Sequence, residues 1–225
     1  MSIDPHRVLF EDEHLLAVNK LCGELAVKGR GAVGKLPLLD FLKEDYPGLT
    51  TVHRLDFETS GILLFAKRKE VARNILDTKF DQWTKKYRCL VAGRIERGGG
   101  VIQKRLPTRH SARDARNAAD LVDAKTTYTV LERFGNSTSV EAVIETGRHH
   151  QIRRHFAAIG HPLVLDHVYG DRKFNALFTR EFGYRKFFLH AAEASFPHPV
   201  TGERVAIAVP LPRVFEEVLR KLRAC

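Results

Sequence analysis

Val52-His53-Arg54-Leu55-Asp56-Phe57-Glu58-Thr59-Ser60-Gly61-Ile62-Leu63-Leu64-Phe65-Ala66-Lys67 is the stretch from which the rest of this sequence can be read. Its first half crowds His53, Arg54, Asp56 and Glu58 together and then turns through Thr59, Ser60 and Gly61. Its second half, residues 62–66, is an apolar run of the length of a buried strand and far too short to cross a membrane. A polar turn feeding a buried strand holds a reactive side chain on a rigid support, which makes Asp56 the candidate reactive group. The competing reading is structural: Asp56 pairs with Arg54 or caps the Thr-Ser-Gly turn. Charged turns are ordinary, and the pattern alone favours that reading.

The 225 residues suffice for one large domain, and 44% hydrophobic with 28% charged residues is the composition of a soluble globular chain. Lys+Arg 37 against Asp+Glu 27 leaves a net charge of +10, which favours polyanionic partners, nucleic acid above all. An acidic membrane surface is the weaker alternative, because no basic amphipathic helix with an exposed aromatic face stands out. Cys22, Cys89 and Cys225 are odd in number and form no Cys-x-x-Cys, so they read as reduced thiols of a cytoplasmic protein. The N-terminus is polar and lacks the apolar core of an export signal.

Two short apolar runs, residues 8–10 and 15–18, predict paired strands, and Leu38, Leu39 and Leu42 predict a helix over 36–45. Leu76, Phe80 and Trp83 at i, i+4, i+7 predict an amphipathic helix over 69–85. Residues 85–93 then read as a strand ending in glycine, on which Tyr87 by itself is an ordinary strand aromatic. Lys104, Arg105, Arg109, Arg113 and Arg116 are either a solvated face or an RNA-backbone contact segment. Gly135-Asn136 between β-rich segments predicts a hairpin over 126–146. Ile152, Phe156 and Ile159 predict a helix stopped by Gly160 and Pro162. His149, His150 and His155 invite a metal reading, but His150 and His155 point to different sides of a helix and no carboxylate lies between them, so no metal site is expected. Val214, Phe215, Val218, Leu219 and Leu222 mark a closing packing helix, and no repeat or linker divides the chain.

The order His53-Arg54-Leu55-Asp56-x-x-Thr59-Ser60-Gly61, followed by aliphatics and Ala66-Lys67, resembles the signature of the RluA-type pseudouridine synthases. Further motifs fall in that family's order. Asn19-Lys20 and Gly23 stand where the family has Asn-Lys-Pro-x-Gly, with Leu21 in place of the proline; Lys85-x-Tyr87 heads a strand. Gly147-Arg148-His149-His150-Gln151-Ile152-Arg153 matches Gly-Arg-Thr-His-Gln-Ile-Arg except at His149. Residues 160–170 match Gly-His-Pro-Ile-x-Gly-Asp-x-x-Tyr-Gly, with Leu165 in place of a glycine. Leu189-His190-Ala191 and Phe196-Pro197-His198-Pro199 resemble its C-terminal strand elements.

The resemblance covers about residues 8–212. It implies an α+β pseudouridine synthase fold, a mixed and mostly antiparallel central sheet flanked by helices and loops, with residues 1–225 as a single catalytic domain. Relatives often carry an N-terminal S4 domain, and this chain is expected to be the stand-alone catalytic form. The implied activity is isomerisation of specific uridines in ribosomal or transfer RNA by base flipping, with Asp56 acting near C1′ as nucleophile or as base. Arg153 is expected to pair with Asp56 and hold it ionised, and Tyr87 to stack on the base, where it is a candidate to take the C5 proton. His53, Arg54, Thr59, Arg148, Gln151 and Ile152 are the implied substrate-binding positions, with Arg54 filling the vacated stack. No cofactor and no metal are called for. The partner is expected to be a structured RNA stem-loop, with no membrane, no obligate protein partner and a monomeric state. Two other classes compete. One is a non-catalytic RNA-binding protein, against which the set Asp56, Tyr87 and Arg153 weighs. The other is a glycosidase-like hydrolase using Asp56 and Glu58, whose i, i+2 spacing turns the two carboxylates to opposite sides of an extended segment.

Overall fold

The two leading apolar runs form an antiparallel pair, β1 (Val8–Glu11) and β2 (Leu15–Lys20). Asp12 shapes the turn between them, its Oδ1 accepting the amides of His14 and Leu15 at 2.7 Å each. The computed structural model describes residues 3–28, 36–78, 80, 82–107 and 121–225. Helix α1 spans only Leu38–Leu42, shorter than the predicted 36–45, and buries Leu38 and Leu42. After β3 (Thr50–Thr51) comes the central apolar run as β4 (Ser60–Ala66), every residue of which is buried.

Helix α2 (Lys69–Asp77) corrects the expectation of a helix over 69–85. Its buried face is Val71, Ala72 and Ile75, and Leu76 is exposed. The chain leaves helical geometry after Asp77, with Phe80 and Gln82 at positive φ, and Trp83 instead stacks on Phe196 at 4.2 Å. The spacing of Leu76, Phe80 and Trp83 was therefore coincidental.

The remaining elements are β5 (Thr84–Ala92), β6 (Gly99–Gln103), β7 (Leu106–Pro107), β8 (Leu121–Val122), β9 (Lys125–Arg133) and β10 (Ser137–Ile144). They are followed by α3 (Gln151–Ala158), α4 (Arg172–Phe182), β11 (Leu189–Pro197), β12 (Arg204–Ala208) and α5 (Arg213–Arg223). The predicted hairpin is β9–β10, closed where the Phe134 amide donates to Ser137 O. The closing helix buries Phe215, Val218, Leu219 and Leu222, while Val214 faces solvent.

The chain divides into two compact units, Met1–Lys85 with His190–Pro210, and Lys86–Leu189 with Leu211–Cys225. In the first, strands run in the order β1-β2-β4-β11, with β12 on β11 and β3 on β4. All these pairs are antiparallel except β4 with β11, where Ser60 opposes His190 and Gly61 opposes Ala191. Gly61 sits at φ +107, and a Cβ there would lie 2.2 Å from Ala191 O, so this parallel contact requires glycine. The core under these strands joins Leu15, Ile62, Leu64, Ile75, Trp83 and Phe196.

In the second unit the order is β5-β10-β9-β6. Its core is rich in aromatics: Phe178, Phe182, Phe188 and Phe215 pack with Leu90, Leu165 and Leu219. The fold is α+β, a mixed and mostly antiparallel sheet with few helices. Among the described residues no helix is long and apolar enough to cross a membrane.

Candidate active site

In the first unit the candidate residues share one loop between β3 and β4. Asp56 is half-buried there, and its main-chain oxygen accepts the Thr59 amide at 3.1 Å, closing the turn that leads into β4. Arg54 is exposed beside it. His53 is not at the loop's solvent edge in chemical terms, because its Nε2 accepts the Leu64 amide at 3.1 Å. That bond requires an unprotonated Nε2, and burial, with the Lys85 ammonium adding to it, pushes the imidazole down to about 3. Thr59 is buried, and its hydroxyl makes no hydrogen bond among the described residues.

Beneath the loop lies a residue that the motif reading left without a role. Lys20 ends β2 with no solvent exposure, and its ammonium donates to the carbonyls of Thr59 at 2.6 Å, Leu21 at 3.1 Å and Phe57 at 3.2 Å. Burial lowers its pKa to about 8, against the pull of the Glu24, Cys22 and Asp56 charges. The loop carrying Asp56 is thus strapped from below by a cation, which a local sequence signal does not announce. The other support is buried: Ser60 Oγ lies 2.9 Å from His190 Nδ1.

In the second unit Tyr87 is buried on β5, on the same alternating face as Cys89. Four candidates gather at the start of α3. Arg148 is exposed. Gln151 is buried and committed to the protein: its Oε1 accepts from Thr146 Oγ1 at 2.7 Å and the Arg148 amide at 3.1 Å, while its Nε2 donates to Lys125 O and Thr126 Oγ1. Those four bonds use both acceptor positions and both hydrogens of its amide. Ile152 and Arg153 are buried on the same turn.

Asp166, present in the sequence motif but given no role there, grips Arg153. Its Oδ2 accepts Nε at 2.6 Å and its Oδ1 accepts Nη2 at 2.9 Å, a bidentate pair with almost no exposure on either side chain. Burial alone would raise the Asp166 pKa, but the hydrogen bond and charge of Arg153 and the amides of Val168 and Tyr169 outweigh it and hold the carboxyl below its usual range. Arg153 is also flanked by the Phe187 ring at 4.6 Å and the Tyr169 ring at 5.2 Å.

The histidines have structural partners. His149 and His150 stack at 3.6 Å, and His150 Nδ1 lies 3.1 Å from Tyr169 Oη. His155 Nδ1 lies 2.9 Å from Thr126 Oγ1. Among the described residues no group of three or more His, Cys, Asp or Glu side chains is arranged to hold a metal ion. Of the basic segment, Lys104 and Arg105 are exposed, and Arg105 Nη2 donates to Leu121 O at 2.6 Å. Arg109, Arg113 and Arg116 lie outside the described residues.

The departure at Leu165 has a clear outcome. The residue keeps the left-handed backbone a glycine would adopt, at φ +65, while its side chain is fully buried in the aromatic core. Its amide donates to Asn175 Oδ1 at 2.8 Å, so the turn survives the substitution.

Residues 14–158 match the family model described as RNA pseudouridylate synthase. The chain is 37% identical over 221 residues to the ribosomal large subunit pseudouridine synthase C of Vibrio cholerae, covering 97% of this chain and 70% of that protein. It is 35% identical over 222 residues to the protein of the same name from Escherichia coli K12, covering 96% and 70%. Among solved structures, Human RNA Pseudouridylate Synthase Domain Containing 4 superposes with a TM-score of 0.78 at 25% identity, covering 97% of this chain and 93% of that one. Human RNA Pseudouridylate Synthase Domain Containing 1 gives 0.72 at 25% identity, covering 100% and 98%. With its motifs in order, its fold matched and more than a third of its residues shared over nearly its whole length, this chain belongs to the RNA pseudouridylate synthases, in their RluA-type branch.

Proposed function

We propose that this protein isomerises one or more uridines of large-subunit ribosomal RNA to pseudouridine, working in the cytoplasm as a monomer, with residues 1–225 as one catalytic domain. The observation that carries the reading is the 37% identity, over 97% of the chain, to an enzyme named for that reaction on that RNA. The reaction breaks the C1′–N1 bond, turns the uracil and joins C5 to C1′; the C5 proton leaves and N1 ends protonated, so nothing is consumed. Asp56 is the carboxylate at C1′, acting as nucleophile on the sugar or as base towards a glycal intermediate. Arg153 keeps Asp56 charged and placed, Tyr87 stacks on the uracil and takes the C5 proton, and Ile152 packs beside the base. The target must leave its stem to be reached, at a cost of a few kcal/mol, and exposed Arg54 fills the gap it leaves. The +10 charge supports binding to the phosphate backbone.

The test is to incubate the protein, and separately Asp56→Ala, with total RNA from a strain lacking its gene, and to map pseudouridine chemically. New sites in large-subunit ribosomal RNA made by the wild type and absent with Asp56→Ala are expected. RNA that is bound yet unchanged by the wild type would replace the enzyme with a non-catalytic RNA-binding protein. Release of free uracil would mark a hydrolase instead.

A further inference from the structure

We propose that Asp166 is the positioning residue for Arg153, and that residues 165–170 are built to fix its carboxylate. The proposal rests on the reading of Arg153 as part of the uridine-isomerising machinery.

The local construction is unusually complete. Oδ1 of Asp166 accepts not only Arg153 Nη2 but also the amides of Val168 at 2.9 Å and Tyr169 at 3.1 Å. Its main-chain oxygen accepts the Gly170 amide at 2.9 Å and Asn175 Nδ2 at 3.1 Å, while Asn175 Oδ1 holds the preceding amide, that of Leu165. Gly170 passes so close that a Cβ there would lie 2.3 Å from Asp166 O. The carboxylate is therefore clamped by side chain and backbone together. It in turn clamps the guanidinium along its Nε edge, while Phe187 and Tyr169 cover the faces. Tyr169 is itself held, its Oη accepting Arg154 Nε at 2.8 Å.

Two consequences follow from this geometry. First, the bond to Nε stops the guanidinium rotating, so the donors on Nη1 and the second hydrogen on Nη2 have fixed directions. Second, a buried ion pair is a poor source of net stability, because desolvating both charges offsets most of their attraction. A fully buried carboxylate with four accepted hydrogen bonds on its oxygens is better accounted for by orientation than by cohesion. Asp166 is out of contact with solvent and so acts through Arg153, never on RNA itself.

Asp166→Asn keeps the shape but turns an amide nitrogen towards groups that are all donors. On the mapped RNA site, kcat is expected to fall about 10- to 100-fold, as for other groups that orient a functional side chain, with KM for RNA unchanged within about twofold. In an Arg153→Gln background, adding Asp166→Asn is expected to cost less than about twofold more, because the interaction is already gone. In the wild type, the Arg153 Nε–H resonance is expected to exchange slowly with solvent, which tests the clamp itself without any variant. The proposal is overturned by an Nε–H that exchanges as fast as in free arginine, by Asp166→Asn retaining wild-type kcat, or by losses that multiply in the double variant. It also falls if Arg153→Gln is fully active. A wild type that makes no pseudouridine removes the underlying function, an outcome distinct from an active enzyme indifferent to Asp166→Asn.

Discussion

The Lys20 ammonium lies 2.6 Å from the main-chain oxygen of Thr59, 39 residues away in the chain, and this contact ties β2 to the loop that carries Asp56. Lys20 pays a desolvation cost for its place: its pKa falls from 10.5 to about 8, equivalent to roughly 3 kcal/mol against the charged form at neutral pH. Between those two values the unfolded chain binds more protons than the folded one, so stability rises with pH across that window.

Lys85 is shifted in the same sense, to about 8, so the wild-type curve alone would mix two groups. The difference between wild type and Lys20→Met isolates Lys20. That difference in unfolding free energy should move in favour of the wild type by up to about 3 kcal/mol from pH 7 to pH 10.5. Lys20→Met also leaves three carbonyls without their donor, and kcat should fall by about tenfold or more. Urea titrations at several pH values and single-turnover rates check both; a flat difference curve rules out the strapped-cation picture.

His53 gives the opposite limb. Its folded pKa of about 3 lies below the ordinary 6.5, so its contribution to stability is complete above pH 6.5 and is lost progressively as pH falls towards 3. His53→Asn should flatten the acid limb of the stability curve by a few kcal/mol, roughly the size such a shift allows. Chemical denaturation at pH 4 and pH 7 would measure it. An acid limb as steep in the variant as in the wild type would mean that another group carries the titration.

Leu165 combines two opposing terms. Its left-handed backbone costs about 1–2 kcal/mol, and its side chain fills the core around Phe178 and Leu219. Leu165→Ala should lose about 2–5 kcal/mol by opening a cavity while keeping the strain. Leu165→Gly opens a slightly larger cavity but releases that strain, so it should be no worse than Leu165→Ala within about 1 kcal/mol. Urea midpoints of the two variants compare them directly. A glycine variant far less stable than the alanine one would mean that the backbone at 165 carries no strain.

Arg54 is exposed, as a side chain that enters a base stack must be. Arg54→Ala should slow isomerisation on a structured stem-loop by about tenfold, while an unstructured oligonucleotide with the same uridine loses much less. Rates on the two RNAs make the comparison. Equal losses on both would remove the stack-filling role.

How much of this was legible in the sequence follows from the range of the forces involved. The buried strand β4, the β9–β10 hairpin at Gly135-Asn136 and the helices α3 and α5 follow from period, turn chemistry and stop signals, all carried by residues close along the chain. The motif order Asp56, Tyr87, Gln151-Ile152-Arg153 and Asp166 by itself points to the family. Where a local pattern had a distant competitor, it misled: Trp83 suited a helix by spacing, but the stack on Phe196, 113 residues onward, claimed it.

By itself the sequence determined the buried strand β4, the β1–β2 and β9–β10 pairs, most of the helices, the family and the candidate site residues. Only the tertiary structure decided what holds those residues in place: Lys20 under the Asp56 loop, Ser60 against His190 from 130 residues away, and Asp166 on the Arg153 guanidinium. The reason is physical. Periodicity is a property of neighbours in the chain, whereas a buried charge takes whichever partner the fold brings within hydrogen-bond reach, and that choice is made only when the core closes.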